Sequence, residues 1–318
     1  MEHRMILVTG AGGFVGRGLV ERLLEGDEQL TLVDTQGLED WAGHPGATCI
    51  EGSIAAPGVL AQAAAGQPRT VFHLASIPGG RAEQDPALGR AVNLDATADL
   101  LDTLAGTNRA GSSVPPVLVF ASSIAVFGGP LPDPVPEHQP PRPLLSYGAH
   151  KLVGEILVAD FARRGWVDGR SLRLSGIVTR PATPPGQPAG AISIFLSDLI
   201  RDLPRGLPVT VPMSPSATTW LMSRARAVDN LLWAANMHPA PQATARVWTP
   251  PPLCVSMAAL VAAIGMHHGR DLAPLVHYAP VPAIQAAFGS SPPLRAPDSE
   301  TAGFKSDGTI AQLVARST

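Results

Sequence analysis

A short apolar run, Met5 to Val8, passes directly into Thr9-Gly10-Ala11-Gly12-Gly13-Phe14-Val15-Gly16, and apolar residues then recur at helical spacing at Leu19, Val20, Leu23 and Leu24. An unbroken apolar run of this length reads as a strand buried on both faces of a parallel sheet, since a strand with one wet face would alternate. A strand that turns through glycines into a helix constrains the fold more than any other feature of the chain. Glycines at 10, 13 and 16 allow a tight turn, close approach of backbone to a pyrophosphate, and close packing of helix on sheet. The amides around Phe14 and Val15 then open a helix toward those phosphates.

The next segment supports that reading. Leu30-Thr31-Leu32-Val33-Asp34 is a second strand ending on a carboxylate eighteen residues beyond Gly16. An acidic side chain there accepts both hydroxyls of an adenosine ribose and repels a 2′-phosphate, so the expected cofactor is NAD and not NADP. Residues 48 to 54 read as a third strand whose turn, at Ser53 and Ile54, falls where an adenine ring is expected. Val71 to Ser76 reads as a fourth, with Leu74, Ala75 and Ser76 offering backbone to line the cofactor and His73 as a packed strand residue. Alternating strands and helices of this kind predict an α/β doubly wound parallel sheet, the Rossmann arrangement. Residues 1–175 form the expected NAD-binding domain, with 219–250 returning to it, and 176–318 form a smaller C-terminal substrate domain.

The whole chain of 318 residues is 45% hydrophobic, enough for a large core, and its formal charge of −3 gives no footprint for nucleic acid or an anionic membrane. Cys49 and Cys254 stand far apart, and the His267-His268 pair lacks a second ligand cluster, so neither a disulfide framework nor a metal site is expected. With no signal peptide and no membrane-length apolar stretch, the expected location is cytoplasmic.

Ser122-Ser123 and Tyr147-Gly148-Ala149-His150-Lys151 supply a hydroxyl, a phenol and an ammonium within one strand-loop-helix passage. Tyr147 and Lys151, four apart, share a helix face, and an ammonium beside a phenol favours the phenolate, which makes the tyrosine useful for proton transfer. The strand 117–121 delivers the serines at its C-terminal end, where ligands bind in such sheets. Asn93, near the start of a helix at 91–104, reads either as a solvated mid-helix residue or as one able to reach across to that strand. Seven prolines between Pro130 and Pro143 read as a stiff surface loop that closes over a site. The helix from Gly148 to about Arg163 carries apolar residues on more than one face, which predicts a homodimer. Taken alone, Lys151 and Glu155 read as a helical salt bridge. Residues 176–181, with Ile177 and Val178, leave a sixth strand toward the cofactor's reactive end. The tail from Arg295 to Arg316 reads as helical and mostly polar.

Together, Gly10 to Gly16, Asp34, His73-Leu74-Ala75, Asn93, Ser122-Ser123 and Tyr147-x-x-x-Lys151 resemble the extended short-chain dehydrogenase/reductase family across essentially the whole chain. The resemblance implies hydride transfer with Ser123, Tyr147 and Lys151 as catalytic residues, Ser122 being the alternative hydroxyl. It further implies that Ser122, Asn93, Tyr147 and Lys151 touch the cofactor and that Ser123 and Tyr147 touch substrate. Ser53 stands where the family commonly has Asp. Nucleotide-sugar members carry an Asn motif where this chain has Leu174-Ser175-Gly176-Ile177-Val178 and an Arg-Asp pair where it has Thr219-Trp220, and these departures imply a small substrate. A 2-hydroxy sugar acid of about four carbons fits, with Arg180 as the fork for its carboxylate. The rival readings are a nucleotide-sugar 4-epimerase and a protein that senses NAD without turnover.

Overall fold

The computed structural model describes residues 5–109, 114–182, 193–238 and 246–318. In chain order the strands are β1 (Met5–Thr9), β2 (Gln29–Asp34), β3 (Ala47–Glu51), β4 (Thr70–His73), β5 (Val117–Ser123), β6 (Val135–Pro136), β7 (Asp168–Leu174), β8 (Gly176–Val178), β9 (Val209–Val211), β10 (Thr218–Ser223), β11 (Val247–Trp248), β12 (Leu253–Ser256), β13 (Val276–Tyr278) and β14 (Leu294–Arg295). The helices are α1 (Phe14–Leu23), α2 (Val59–Ala64), α3 (Gly79–Gln84), α4 (Pro86–Arg90), α5 (Ala96–Arg109), α6 (Ser146–Arg163), α7 (Ile194–Asp202), α8 (Arg224–Asn236), α9 (Met257–His267), α10 (Pro282–Phe288), α11 (Pro297–Thr301) and α12 (Ile310–Ala315), with a π-helical turn at Ala91–Asp95. Two compact units result. The first is Met1–Val126, Pro141–Arg173 and Leu231–Trp248; the second is Phe127–Pro140, Leu174–Asn230 and Thr249–Thr318.

The first unit holds a seven-stranded sheet in the order β11-β7-β5-β4-β1-β2-β3. Strand β1 pairs in parallel with β2 on one side and β4 on the other, so the connections reverse direction beside the glycine turn. That reversal opens a crevice at the C-terminal ends of β1 and β4, the place where doubly wound sheets bind ligands. The core between sheet and helices is made by Leu7, Val33, Val71, Leu118 and Phe120 from strands and Leu100, Leu101, Leu104 and Val158 from helices. Gly154 lets α6 lie close on β5, since a Cβ there would stand 2.6 Å from the Phe120 ring.

The second unit has a three-stranded sheet, β12-β10-β8, two strand pairs, β13-β9 and β14-β6, and its own core built on Leu199, Leu221, Val255, Leu260, Ile264 and Leu313. Strand β11 does join the large sheet, parallel to β7. The preceding stretch does not: β10 pairs parallel to β8 and antiparallel to β12, so residues 219–230 belong to the second unit. Leu221 packs there in the core of the second unit, in one cluster with Leu199, Val255 and Leu260. The proline-rich loop is tied into the second unit. Its β6 pairs with β14, and the buried Glu137 carboxylate accepts from the amides of Asp298 and Ser299 and from the Ser299 hydroxyl. The tail is not one helix, since Gly303 and Gly308 adopt positive φ (97° and 90°) and interrupt it between α11 and α12. The proline- and glycine-rich segment expected after Arg180 falls largely at 183–192, outside the described residues. Among the described residues no helix is long and apolar enough to cross a membrane.

Candidate active site

The glycine turn after β1 is packed against two neighbouring strand ends. Gly10 has φ +75°, and a Cβ on it would stand 2.5 Å from the Ala75 amide. A Cβ on Gly12 would overlap the Gln36 carbonyl oxygen, and one on Gly16 the Gly10 carbonyl oxygen. Only glycine fits this cradle, which is the property required for backbone to approach a pyrophosphate. Gly13 stands at the N-cap of α1 without a side-chain cap hydrogen bond, so the first turn of the helix, Phe14 and Val15, opens directly on the glycine cradle, where a helix N-terminus favours an anion. Asp34 ends β2 with its Oδ1 accepting from the Thr35 amide at 2.7 Å, and the Gly52 amide donates to the Asp34 carbonyl, which ties the Ser53-Ile54 turn to the same edge. Ser53 Oγ accepts from the Ala55 amide and Ile54 is buried. These residues fit an NAD adenosine and pyrophosphate.

His73 is a packed residue, as expected. Its ring nitrogens bond Thr9 Oγ1 at 2.7 Å and Thr97 Oγ1 at 2.9 Å, and burial, with Lys151 adding to it, pushes its pKa down to about 3. Asn93 does not reach toward β5. Its Oδ1 accepts from Ser76 Oγ and the Ile77 amide, and its Nδ2 donates to the Ile77 carbonyl at 3.0 Å. The amide thus holds the strand-end loop that carries Leu74, Ala75 and Ser76. The cause is that it sits on the π-helical turn, with both ends of its amide satisfied by that loop.

Strand β5 runs through Ser123, and the two serines alternate. Ser122 is buried and donates to Glu155 Oε1 at 2.5 Å. Ser123 is half-buried and its Oγ accepts from the Ala125 amide at 3.1 Å. Helix α6 is brought to this strand end by contacts at its own start. Glu83 of α3 accepts from the Ser146 amide at 2.6 Å, and Gly148 abuts the Ala125 carbonyl so closely that no Cβ fits. Gly79 of α3 borders Tyr147, a Cβ on it falling at ordinary contact distance, 3.6 Å, from the Tyr147 Cβ.

Lys151 is 2% exposed, with its Nζ 4.9 Å from the centre of the Phe120 ring and 5.7 Å from that of Tyr147. The His73 ring also stacks on Phe120, with the centroids 5.7 Å apart. Burial pushes the lysine's pKa down to about 7, with Glu155 opposing that shift. The helical salt bridge expected between Lys151 and Glu155 is not formed. Glu155 instead takes a two-pronged bond from Arg173 of β7, Nε to Oε1 at 3.0 Å and Nη2 to Oε2 at 2.8 Å. A guanidinium fork satisfies both carboxylate oxygens where an ammonium satisfies one.

Phe120, Glu83 and Arg173 were not among the expected site residues. Arg173 left a signal, a charge within the apolar strand Leu172-Arg173-Leu174, which demands a buried anion. Ile177 and Val178 lie on β8 of the second unit, both buried, and Arg180 follows them with its carbonyl accepting from Arg201 Nη1 at 3.0 Å.

Comparison with known proteins bears on all of this. Residues 6–218 match the NAD dependent epimerase/dehydratase family. The chain is 34% identical to D-erythronate dehydrogenase of Cupriavidus necator over 97% of its own length and 96% of that protein's. Its fold superposes with a TM-score of 0.87 on the crystal structure of a nucleoside-diphosphate-sugar epimerase from Agrobacterium tumefaciens, at 30% identity and covering 98% and 92% of the two chains. It also matches MoeE5, solved in complex with UDP-glucuronic acid and NAD, with a TM-score of 0.75, 25% identity and coverage of 98% and 96%. With a glycine cradle, a carboxylate at the end of β2 and a doubly wound sheet that joins them, the chain belongs to the NAD dependent epimerase/dehydratase family and is an NAD-dependent oxidoreductase of the extended short-chain type.

Proposed function

We propose that the protein oxidises a small 2-hydroxy sugar acid of the D-erythronate type to the 2-oxo acid, with Ser123, Tyr147 and Lys151 as the reacting set. The observation that carries this reading is the likeness to D-erythronate dehydrogenase along nearly the whole of both chains. Bound NAD supplies the hydride acceptor. Tyr147 takes the proton from the substrate hydroxyl, and Ser123 holds the same oxygen by a hydrogen bond. The Lys151 ammonium, set against the Tyr147 ring, favours the phenolate. Ser122, whose hydroxyl is committed to Glu155, supports the structure behind the site, which favours Ser123 for the substrate contact. Arg180 is the candidate fork for the substrate carboxylate, and the second unit is the substrate-binding part of the chain.

The protein works in the cytoplasm, where its unpaired Cys49 and Cys254 stay reduced. Val153 and Ile156 on the outer face of α6 are 39% and 60% exposed, which supports a homodimer that covers them. A monomer mass by light scattering at micromolar concentration would sink that assembly.

A panel of four- to six-carbon aldonic acids, assayed by NADH absorbance, tests the activity. Tyr147→Phe should lower turnover by about a thousandfold with NAD still bound; unimpaired turnover in that variant refutes the assignment. The likeness to the Agrobacterium epimerase supports a second reading, epimerisation of a nucleotide sugar. Conversion of nucleotide sugars without net NADH, and none of the aldonic acids, would establish it instead.

A further inference from the structure

We propose that Arg173 is a positioning residue for Lys151: by holding both oxygens of Glu155 it keeps that carboxylate from closing onto the lysine one turn earlier, and so leaves the ammonium directed at Tyr147. This rests on the proposed roles of Lys151 and Tyr147 for its catalytic meaning, and on geometry alone for the charge arrangement.

Tyr147, Lys151 and Glu155 follow one another at four-residue spacing, so each is within side-chain reach of the next on α6. Lys151 and Glu155 are 2% and 3% exposed. An ammonium and a carboxylate so placed, out of water, attract each other far more strongly than on a surface. Yet every bond made to Glu155 comes from the sheet: Ser122 of β5 at 2.5 Å and the two prongs of Arg173 of β7 at 3.0 and 2.8 Å. The lysine lies over Phe120 and Tyr147 instead. Remove Arg173 and the carboxylate keeps only the serine bond, beside an ammonium that lacks a counter-ion. Closure of Glu155 on Lys151 is then the arrangement that compensates both charges.

The other groups facing this pocket are accounted for. His73 on β4 stacks on Phe120 and stays neutral, its pKa about 3. Glu83 of α3, Arg90 of α4 and Asp95 of the π-helical turn act on the neighbouring His150, whose Nδ1 is buried without a partner. Within α6 the remaining titratable neighbour is Tyr147.

Lys151 and Lys305 are the only lysines in the chain, and Lys305 is exposed. Protein labelled with carbon-13 at the lysine ε position therefore gives two signals, and the Lys151 signal reports its own protonation without any need for activity. Its midpoint in the native protein is expected near 7. Arg173→Met should move it up by about one pH unit or more as the carboxylate closes. Glu155→Gln, which keeps the shape and the Ser122 bond, should move it down. The double variant should fall back below Arg173→Met. Turnover of the sugar acid is read in the same variants, and Arg173→Lys should restore part of it. A midpoint that stays in place or falls in Arg173→Met, with the circular dichroism unchanged, overturns the proposal. Should that variant not fold, an unmoved or raised midpoint in Glu155→Gln overturns it equally. Shifted midpoints in a protein that turns over no sugar acid would retain the charge arrangement and reject the proposed activity, so the two failures are distinguishable.

Discussion

Replacing Lys151 by methionine should stabilise the fold at low pH while it abolishes turnover, because the native lysine is buried at a cost. Its pKa falls from 10.5 to about 7 by burial. For a base whose folded pKa is depressed, the unfolded chain binds the proton more tightly, so the destabilisation is fully present below the folded value and is lost as pH rises toward the unfolded one. At about 1.4 kcal/mol per pH unit the full cost, near pH 6, is about 5 kcal/mol, and near pH 9 it is about 2 kcal/mol. Methionine has a similar length and no charge, and it removes this dependence. The stability of Lys151→Met relative to the native chain should therefore decline by about 3 kcal/mol between pH 6 and pH 9. His73, which burial and then Lys151 push down to about 3, is already neutral in the folded state over this range. Urea unfolding without added NAD, followed by circular dichroism at the two pH values, measures the difference. A gap that is the same at both would mean that the ammonium is satisfied by a partner and not penalised by burial, and the reasoning would fail.

Two further substitutions test the cofactor cradle. Gly16→Ala places a Cβ against the Gly10 carbonyl oxygen and should remove measurable NAD binding in isothermal titration; native affinity in a folded variant would refute the packing described for the turn. Asp34→Ala removes the carboxylate at the end of β2 and should weaken NAD about tenfold or more, as expected for loss of hydrogen bonds to a charged group. The same change lifts the repulsion of a 2′-phosphate, so the ratio of KM for NADP to that for NAD should fall; an unchanged ratio would show that Asp34 does not read the ribose.

The large sheet was legible in the sequence because β1, β2, β4 and β5 are mostly apolar runs closed by turns, and neighbours in such a chain pair in parallel. The second unit was not. Strands of two or three residues such as β6, β8 and β9 carry no period, and the run Trp220-Leu221-Met222 looks the same whichever sheet encloses it. The site divides in the same way. Spacing along one helix exposed Tyr147 and Lys151, and strand alternation required that only one of Ser122 and Ser123 face the substrate side, without saying which. What separates the two serines is Glu155, which takes the Ser122 hydroxyl and is 33 residues from Ser122 and 18 from Arg173. Local spacing allows a Lys151–Glu155 pair on one face of the helix. The fold overrides that pairing because Arg173 offers the carboxylate two aligned donors across the sheet where the lysine offers one. Which charge the buried Lys151 meets is thus set, on the proposal above, by a residue of β7, and the mark it left in the sequence was an arginine between Leu172 and Leu174.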